Sequence, residues 1–332
     1  MPGVSGALRL VVMGTGPFAV PMFRRLLDTP HTIVALVTRP DHAPPGRRPP
    51  PNPMREAAAA TSVPVLAPER VNDPEAVATL ATLAPDLFVV CDYGQILSAV
   101  LLAVPRLGGI NLHGSLLPRH RGAAPIQWAI LEGDAVTGVS VIHMTPALDA
   151  GNVIAARPLP IGPRDTAADL EPRLAAVGAE AVVEAIERLA AAAAAGVSPA
   201  EIGVPQDATR ATRAPRLTKQ DGVVDWSQPA VRIDRQRRAL EPWPRVATFF
   251  TRGDGVRQRL VLEQVEVVPR PPAAHPDVAP GTVLAAADER IVVACGAGTA
   301  VAVLRLVPEG RRSMSAAEFL RGSPLRDGAR LG

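Results

Sequence analysis

Cysteine is nearly absent. The 332 residues hold two, Cys91 and Cys295, far apart in the chain. That excludes a disulfide scaffold and any cysteine-built zinc site. Long apolar runs are missing too: no stretch approaches the ~18 uninterrupted apolar residues of a transmembrane helix. The opening MPGVSGALRLVVMGTG lacks the basic start, apolar run and cleavage site of a secretory signal. A reduced, cytoplasmic protein with no membrane partner is expected. Lysine is confined to Lys219 among 35 basic side chains. That scarcity and the abundance of Ala and Pro both read as genome-composition bias. His31, His42, His113, His120, His143 and His275 show no ligand spacing such as H-E-x-x-H, so no metal is expected. No Ser or Cys sits in a nucleophile elbow, and no internal repeat is visible.

What is present is an ordinary globular composition, with 47% apolar and 20% charged residues. The length exceeds the ~100–200 residues of one typical domain, so two domains are expected. Charge divides unevenly. From Asp207 onward 20 Arg and Lys face 14 Asp and Glu, a net of +6; the preceding residues carry 15 against 18, a net of −3. A basic second half suits a polyanionic partner, and equally a merely basic surface.

The first half alternates strand and helix signals. Leu8–Met13, Thr32–Val37, Leu87–Cys91, Gly109–Leu112 and Gly138–Met144 read as strands. Pro17–Asp28, Met54–Thr61, Pro74–Ala84 (capped by Asp73), Ala123–Glu132 and Thr166–Ala195 read as helices. That alternation predicts an α/β domain with a mainly parallel sheet, over residues 1–195. Residues 196–216 read as a linker, because Gly, Pro, Thr and Arg dominate and periodicity fades. From 217 to 332 a helix around Pro229–Leu240 precedes short β-rich runs: Val246–Thr251, Arg259–Val268, Gly281–Ala285, Ile291–Ala294 and Ala300–Leu306. These predict a small β-barrel or sandwich.

Two segments carry candidate chemistry. Gly14-Thr15-Gly16-Pro17-Phe18-Ala19 fits a dinucleotide-type glycine turn, but Thr38 and Arg39 stand where an acidic partner belongs. A tight strand-to-helix turn is the simpler reading. Asn111-Leu112-His113-Gly114-Ser115-Leu116-Leu117-Pro118 is more informative. Alternation places Asn111 and His113 on one face at a strand's C-terminal end, where open α/β sheets bind ligands. An Asn amide can donate to a developing oxyanion, and a His can move a proton. Asp149, in Leu148-Asp149-Ala150-Gly151, can orient the His or hold its protonated form. Together they suit acyl transfer to an amine with no covalent enzyme intermediate.

The string NLHGSLLPRHRGAAPIQWAI, followed by LDAGNVI, resembles the folate-dependent formyltransferase family. The later strings PRLTKQDG with VDWS, RALEPWP, and PEG with MSAAEFLRG are similar to its branch that formylates initiator methionyl-tRNA. The resemblance implies a Rossmann-like formyltransferase domain followed by an OB-like β-barrel that binds tRNA. It implies transfer of the formyl group of 10-formyltetrahydrofolate to the α-amine of methionine on initiator tRNA, by a monomer. A sugar-nucleotide amine is the alternative acceptor. On the same basis Asn111, His113 and Asp149 are the expected catalytic residues. Ser115, Leu116, Leu117 and Pro118, with Tyr93 and Gly94, are expected on the folate. Arg39, Arg47 and Arg48, in a Pro-rich loop, are expected on the tRNA. The lysines usual in that loop are absent, and two further departures from the family pattern stand out. Gly16-Pro17 reorders the family's G-T-P-x-F-A turn, and Cys91-Asp92 precede Tyr93 where Ala is usual. Trp226 and Trp243 are expected in packing rather than base stacking.

Overall fold

A computed structural model describes residues 6–43, 46, 49–251, 255–270, 278–287, 289–323 and 325–332. Arg47 and Arg48 lie outside the described residues. The chain divides into two compact units. The first comprises residues 1–125, 135–161 and 170–215, and the second 126–134, 162–169 and 216–332.

In the first unit, β1 (Arg9–Met13), β2 (Thr32–Val37), β3 (Val65–Leu66), β4 (Leu87–Val90) and β5 (Gly109–His113) are mutually parallel. β6 (Val136–His143) and β7 (Val153–Pro160) add antiparallel strands, giving the order β3-β2-β1-β4-β5-β6-β7. β1 and β4 lie mid-sheet, and every residue of Leu10–Met13 and Leu87–Val90 is buried. Such continuous apolar runs are what a two-sided parallel sheet requires. Each fully buried large side chain there is worth about 1.5–3 kcal/mol.

The helices follow the sequence signals closely. Pro17–Ala19 forms a 3-10 turn that leads into α1 (Val20–Leu27), whose Met22, Phe23 and Leu26 are buried. α2 (Pro53–Ala58) is capped by the Asn52 side chain, which accepts from the Arg55 amide. At α3 (Pro74–Thr82) Asp73 occupies the cap position, but its carboxylate accepts no capping hydrogen bond. α4 (Ala99–Leu102) is a single turn and α5 spans Pro125–Glu132. α6 (Ala167–Ala194) is the longest helix, at 28 residues. A Cβ on Gly178 of α6 would lie 2.9 Å from the Leu112 side chain. Glycine thus lets α6 press onto β5 at Leu112, leaving the flanking Asn111 and His113 on the opposite face. Among the described residues no helix is long and apolar enough to cross a membrane.

The second unit is built on β8 (Ala247–Thr251), β9 (Arg257–Val268), β10 (Val283–Ala287), β11 (Arg290–Ala294) and β12 (Ala300–Pro308). They are all antiparallel, in the order β10-β11-β12-β9-β8, with β13 (Met314–Ser315) on β12. The two edges meet the same C-terminal segment. Phe250 bridges Leu331 and Thr282 bridges Arg330, which curls the sheet into a barrel-like form. α8 (Ala316–Gly322) starts on a capping box between Ser315 and Glu318. α7 (Ala230–Ala239) draws the two earlier chain pieces into this unit. Arg232 donates to the Leu131 carbonyl and pairs with Glu132, capping the C-terminus of α5 where cations are favoured. Arg238 reaches the Asp165 carbonyl at 3.0 Å. Trp226 is buried and donates to Thr248 Oγ1 at 3.0 Å, whereas Trp243 departs from expectation and is 52% exposed.

Candidate active site

Strand β5 delivers Asn111 and His113 to the C-terminal end of the sheet. Asn111 is half-buried and pairs across to Val90 of β4 and Ile142 of β6; His113 pairs with Ser140. The strand continues one residue beyond the expected Gly109–Leu112, so His113 is its last residue. The ring is buried, with 6% of the side chain exposed. Its Nε2 lies 2.9 Å from the His120 carbonyl and its Nδ1 3.7 Å from Asp149 Oδ2. A carbonyl oxygen only accepts, so Nε2 carries the proton. In the neutral ring Nδ1 therefore holds the lone pair, 3.7 Å from the carboxylate. Burial lowers the affinity of His113 for a proton, and the Asp149 charge partly restores it. The resting ring is neutral, and protonation at Nδ1 creates an ion pair.

Asp149 is held as firmly as His113. Its φ is +49°, a left-handed conformation uncommon outside glycine. Its Oδ2 accepts from the Gly122 amide at 2.9 Å. Gly122 itself has φ +126°, and a Cβ there would strike the Ala214 carbonyl. Only glycine fits between that carbonyl and the carboxylate.

The loop after His113 is closed internally. Ser115 is fully buried, and its hydroxyl donates to the Arg119 carbonyl at 2.6 Å. Ser140 Oγ donates to the Ser115 carbonyl at 2.8 Å and accepts from the Leu117 amide at 3.0 Å. Leu116 lies over Gly138, where any Cβ would collide with it. Leu116, Leu117 and Pro118 are half-buried, and the Leu117–Pro118 bond is cis.

β4 is followed by Cys91, Asp92, Tyr93 and Gly94. Tyr93 packs in the apolar core with Leu97 and Leu101. Its hydroxyl meets no partner among the described residues, and burial pushes its pKa up to about 12. Gly94, at φ +82°, is covered by the Arg39 side chain, so Arg39 stands at the sheet's C-terminal end. Asp92 reaches solvent, yet desolvation by the protein around it and the charge of Glu171 push its carboxyl up to about 6. A Cβ on Gly16 would overlap Asp92 Oδ2. The two departures noted in the sequence are therefore one packing arrangement: Asp92 occupies space that only glycine leaves free at position 16. Gly14 is likewise required, since a Cβ there would lie 2.9 Å from the Cys91 carbonyl.

One contribution was not visible in the sequence. Residues 204–214, read as linker, run along both loops that support His113 and Asp149. Val204 exchanges backbone hydrogen bonds with Val153 at 2.9 Å each. Thr212 Oγ1 accepts from the His120 amide at 2.8 Å, and the Arg121 amide donates to the Thr212 carbonyl at 2.9 Å. Gln206 joins the two loops to each other through its carboxamide.

The family model described as formyl transferase matches residues 8–186. The chain belongs to the formyl transferase family. The model for the C-terminal domain of formyl transferases matches residues 216–324. Similar curated proteins include the methionyl-tRNA formyltransferase of Rhodopirellula baltica, 42% identical over 99% of this chain and 98% of that protein. That of Roseiflexus castenholzii is 41% identical over 98% and 99%. Among solved structures, the sugar 3N-formyl transferase WlaRD superposes with a TM-score of 0.62 at 13% identity, covering 92% of this chain and all of that one. HypX from Aquifex aeolicus in complex with tetrahydrofolic acid gives 0.58 at 17% identity, over 95% of this chain and 47% of HypX. At those identities the likeness is one of fold. This formyl transferase thus has the mainly parallel Rossmann-like sheet and the antiparallel barrel-like C-terminal domain that the sequence predicts.

Proposed function

We propose that this formyl transferase moves the formyl group of 10-formyltetrahydrofolate to the α-amine of methionine on initiator methionyl-tRNA. The observation that carries the chemistry is the buried His113, its unprotonated Nδ1 turned to Asp149 at 3.7 Å, on the same strand end as Asn111. The acceptor follows from relatives about 40% identical along the whole chain, all methionyl-tRNA formyltransferases.

The amine nitrogen attacks the formyl carbon and the carbonyl becomes tetrahedral. Asn111, half-buried at the strand end, donates its side-chain amide to the oxyanion. His113 Nδ1 takes a proton from the attacking amine, and the imidazolium gains Asp149 as counter-ion. The tetrahedral carbon then releases N10 of the folate. That nitrogen receives the proton, so N-formylmethionyl-tRNA and tetrahydrofolate leave with His113 neutral again. Leu116–Pro118 and Gly94 line the donor's side, and the buried Ser115 ties that loop from behind. The Tyr93 ring supports that wall from the core. Arg39, Arg47 and Arg48 meet the tRNA. The excess of arginine after Asp207 makes phosphate contacts that position the tRNA without reading its sequence. The enzyme works as a monomer in the cytoplasm, with residues 1–195 catalytic and 217–332 binding tRNA.

Transfer of labelled formyl from 10-formyltetrahydrofolate to charged initiator tRNA tests this reading. Charged elongator methionine tRNA and an amino-sugar nucleotide serve as alternative acceptors. Faster turnover on the sugar nucleotide would overturn the assigned acceptor.

A further inference from the structure

The catalytic proposal needs the Asp149 carboxylate to stay on His113, and Asp149 sits in a loop where its own backbone is left-handed. Gln206 meets that loop from 57 residues away in sequence. Its Nε2 donates to the Asp149 carbonyl and to the Gly151 carbonyl, each at 2.8 Å. Its Oε1 accepts from Arg121 Nε at 3.1 Å and from Arg121 Nη2 at 2.7 Å. A carboxamide has two donor hydrogens and two acceptor lone pairs, and all four are used. The orientation admits no flip. Rotating the amide would set its oxygen against two carbonyls and its NH2 against a guanidinium, leaving no bond intact.

The partners span both supports of the proposed site. Asp149 and Gly151 bracket the turn that presents the carboxylate. Arg121 lies between His120, whose carbonyl holds His113 Nε2, and Gly122, whose amide holds Asp149 Oδ2. The hydrogen bonds that hold His113 Nε2 and Asp149 Oδ2 therefore reach a common anchor through a single side chain. We infer that Gln206 is a positioning residue for formyl transfer, one that fixes the His113–Asp149 geometry from a segment outside the strands and helices of the sheet domain. This rests on the reading of His113 and Asp149 as catalytic.

Two variants test it in the full chain. Gln206→Met keeps the length and removes all four bonds. Gln206→Glu keeps both Arg121 contacts and sets a carboxylate oxygen against the Asp149 and Gly151 carbonyls, so it isolates the clasp on the catalytic loop. Both are expected to lower kcat by about 10- to 100-fold, the scale of a displacement near 1 Å at a reacting group. KM for formyl donor and tRNA should stay within about threefold, because Gln206 touches neither in this account. NMR titration of the His113 ring, without substrates, should show its pKa falling in Gln206→Met, which adds no charge of its own, as the Asp149 charge drifts away. In an Asp149→Asn background, Gln206→Met should cost less than about threefold more, since the two act through one contact.

Wild-type kcat in a folded variant, or an unmoved His113 titration in Gln206→Met, overturns the inference. Should Gln206→Met fail to fold by circular dichroism, Gln206→Glu decides the same question. If Asp149→Asn itself leaves turnover intact, the catalytic reading has failed. If Asp149→Asn abolishes turnover while both Gln206 variants match wild type, only the positioning role has failed.

Discussion

Replacing Asp149 by Asn removes one negative charge while nearly preserving shape. The Asn oxygen can still accept from the Gly122 amide, now 2.9 Å from Oδ2, so the loop keeps its anchor. What disappears is the attraction between the carboxylate and a protonated His113, 3.7 Å apart with 11% and 6% of their side chains exposed. At an effective dielectric of ~20, a pair at that distance is worth about 4 kcal/mol before desolvation is subtracted. An opposite charge this close typically moves a pKa by about 1–3 units, so His113 becomes a base roughly 10 to 1,000 times weaker. We expect kcat to fall by about 100-fold with KM little changed. The sign of the pH effect is fixed by the same geometry. Burial already lowers the His113 pKa and Asp149 opposes that shift. The active neutral ring exists above this pKa and is lost as pH falls through it. Removing Asp149 lowers the pKa further, so the acid limb of the rate profile moves to lower pH while the plateau drops. Single-turnover formylation across the pH range measures both. An unchanged plateau, or an acid limb displaced to higher pH, would refute the reasoning.

Other expectations are as direct. Asn111→Ala should reduce kcat by about 100- to 1,000-fold, the usual loss for one oxyanion donor, with binding of charged tRNA unchanged in a filter assay. Gly16→Ala places a methyl group into Asp92 Oδ2 and should destabilise by about 1–3 kcal/mol in thermal melts; adding Asp92→Ala should restore most of it, and additive losses would disprove the shared space. Trp226→Phe leaves the Thr248 hydroxyl without the indole donor it now accepts from at 3.0 Å. A loss of about 1–3 kcal/mol in denaturant unfolding is expected, and none would mean the hydroxyl finds another partner.

Much of the fold could be read before the structure because buried parallel strands advertise themselves. Thr32–Val37 matches its strand at both ends, and the bounds of α6 differ from expectation by one residue each. β7 escaped notice for a physical reason. Val153–Pro160 is an edge strand with exposed positions and two prolines, so it shows neither an apolar run nor clean alternation. α8 carried a legible signal, the Ser315–Glu318 capping box, which a short helix after many strands made easy to pass over. At the site, strand parity was enough to pair Asn111 with His113. Parity cannot say which ring nitrogen faces Asp149. That depends on a loop bringing the His120 carbonyl, at φ +60°, back to Nε2. Gln206 was invisible for a related reason. Polar contacts made 55 to 85 residues away leave no periodicity, and a segment without periodicity reads as linker.

The most direct test compares the wild-type chain with His113→Ala in transfer of labelled formyl from 10-formyltetrahydrofolate to charged initiator tRNA, with tRNA binding measured in parallel. The account predicts robust formylation of the methionyl amine by the wild type. It predicts a loss of at least about 100-fold in the variant at unchanged tRNA affinity. A His113→Ala enzyme that formylates near the wild-type rate would contradict it.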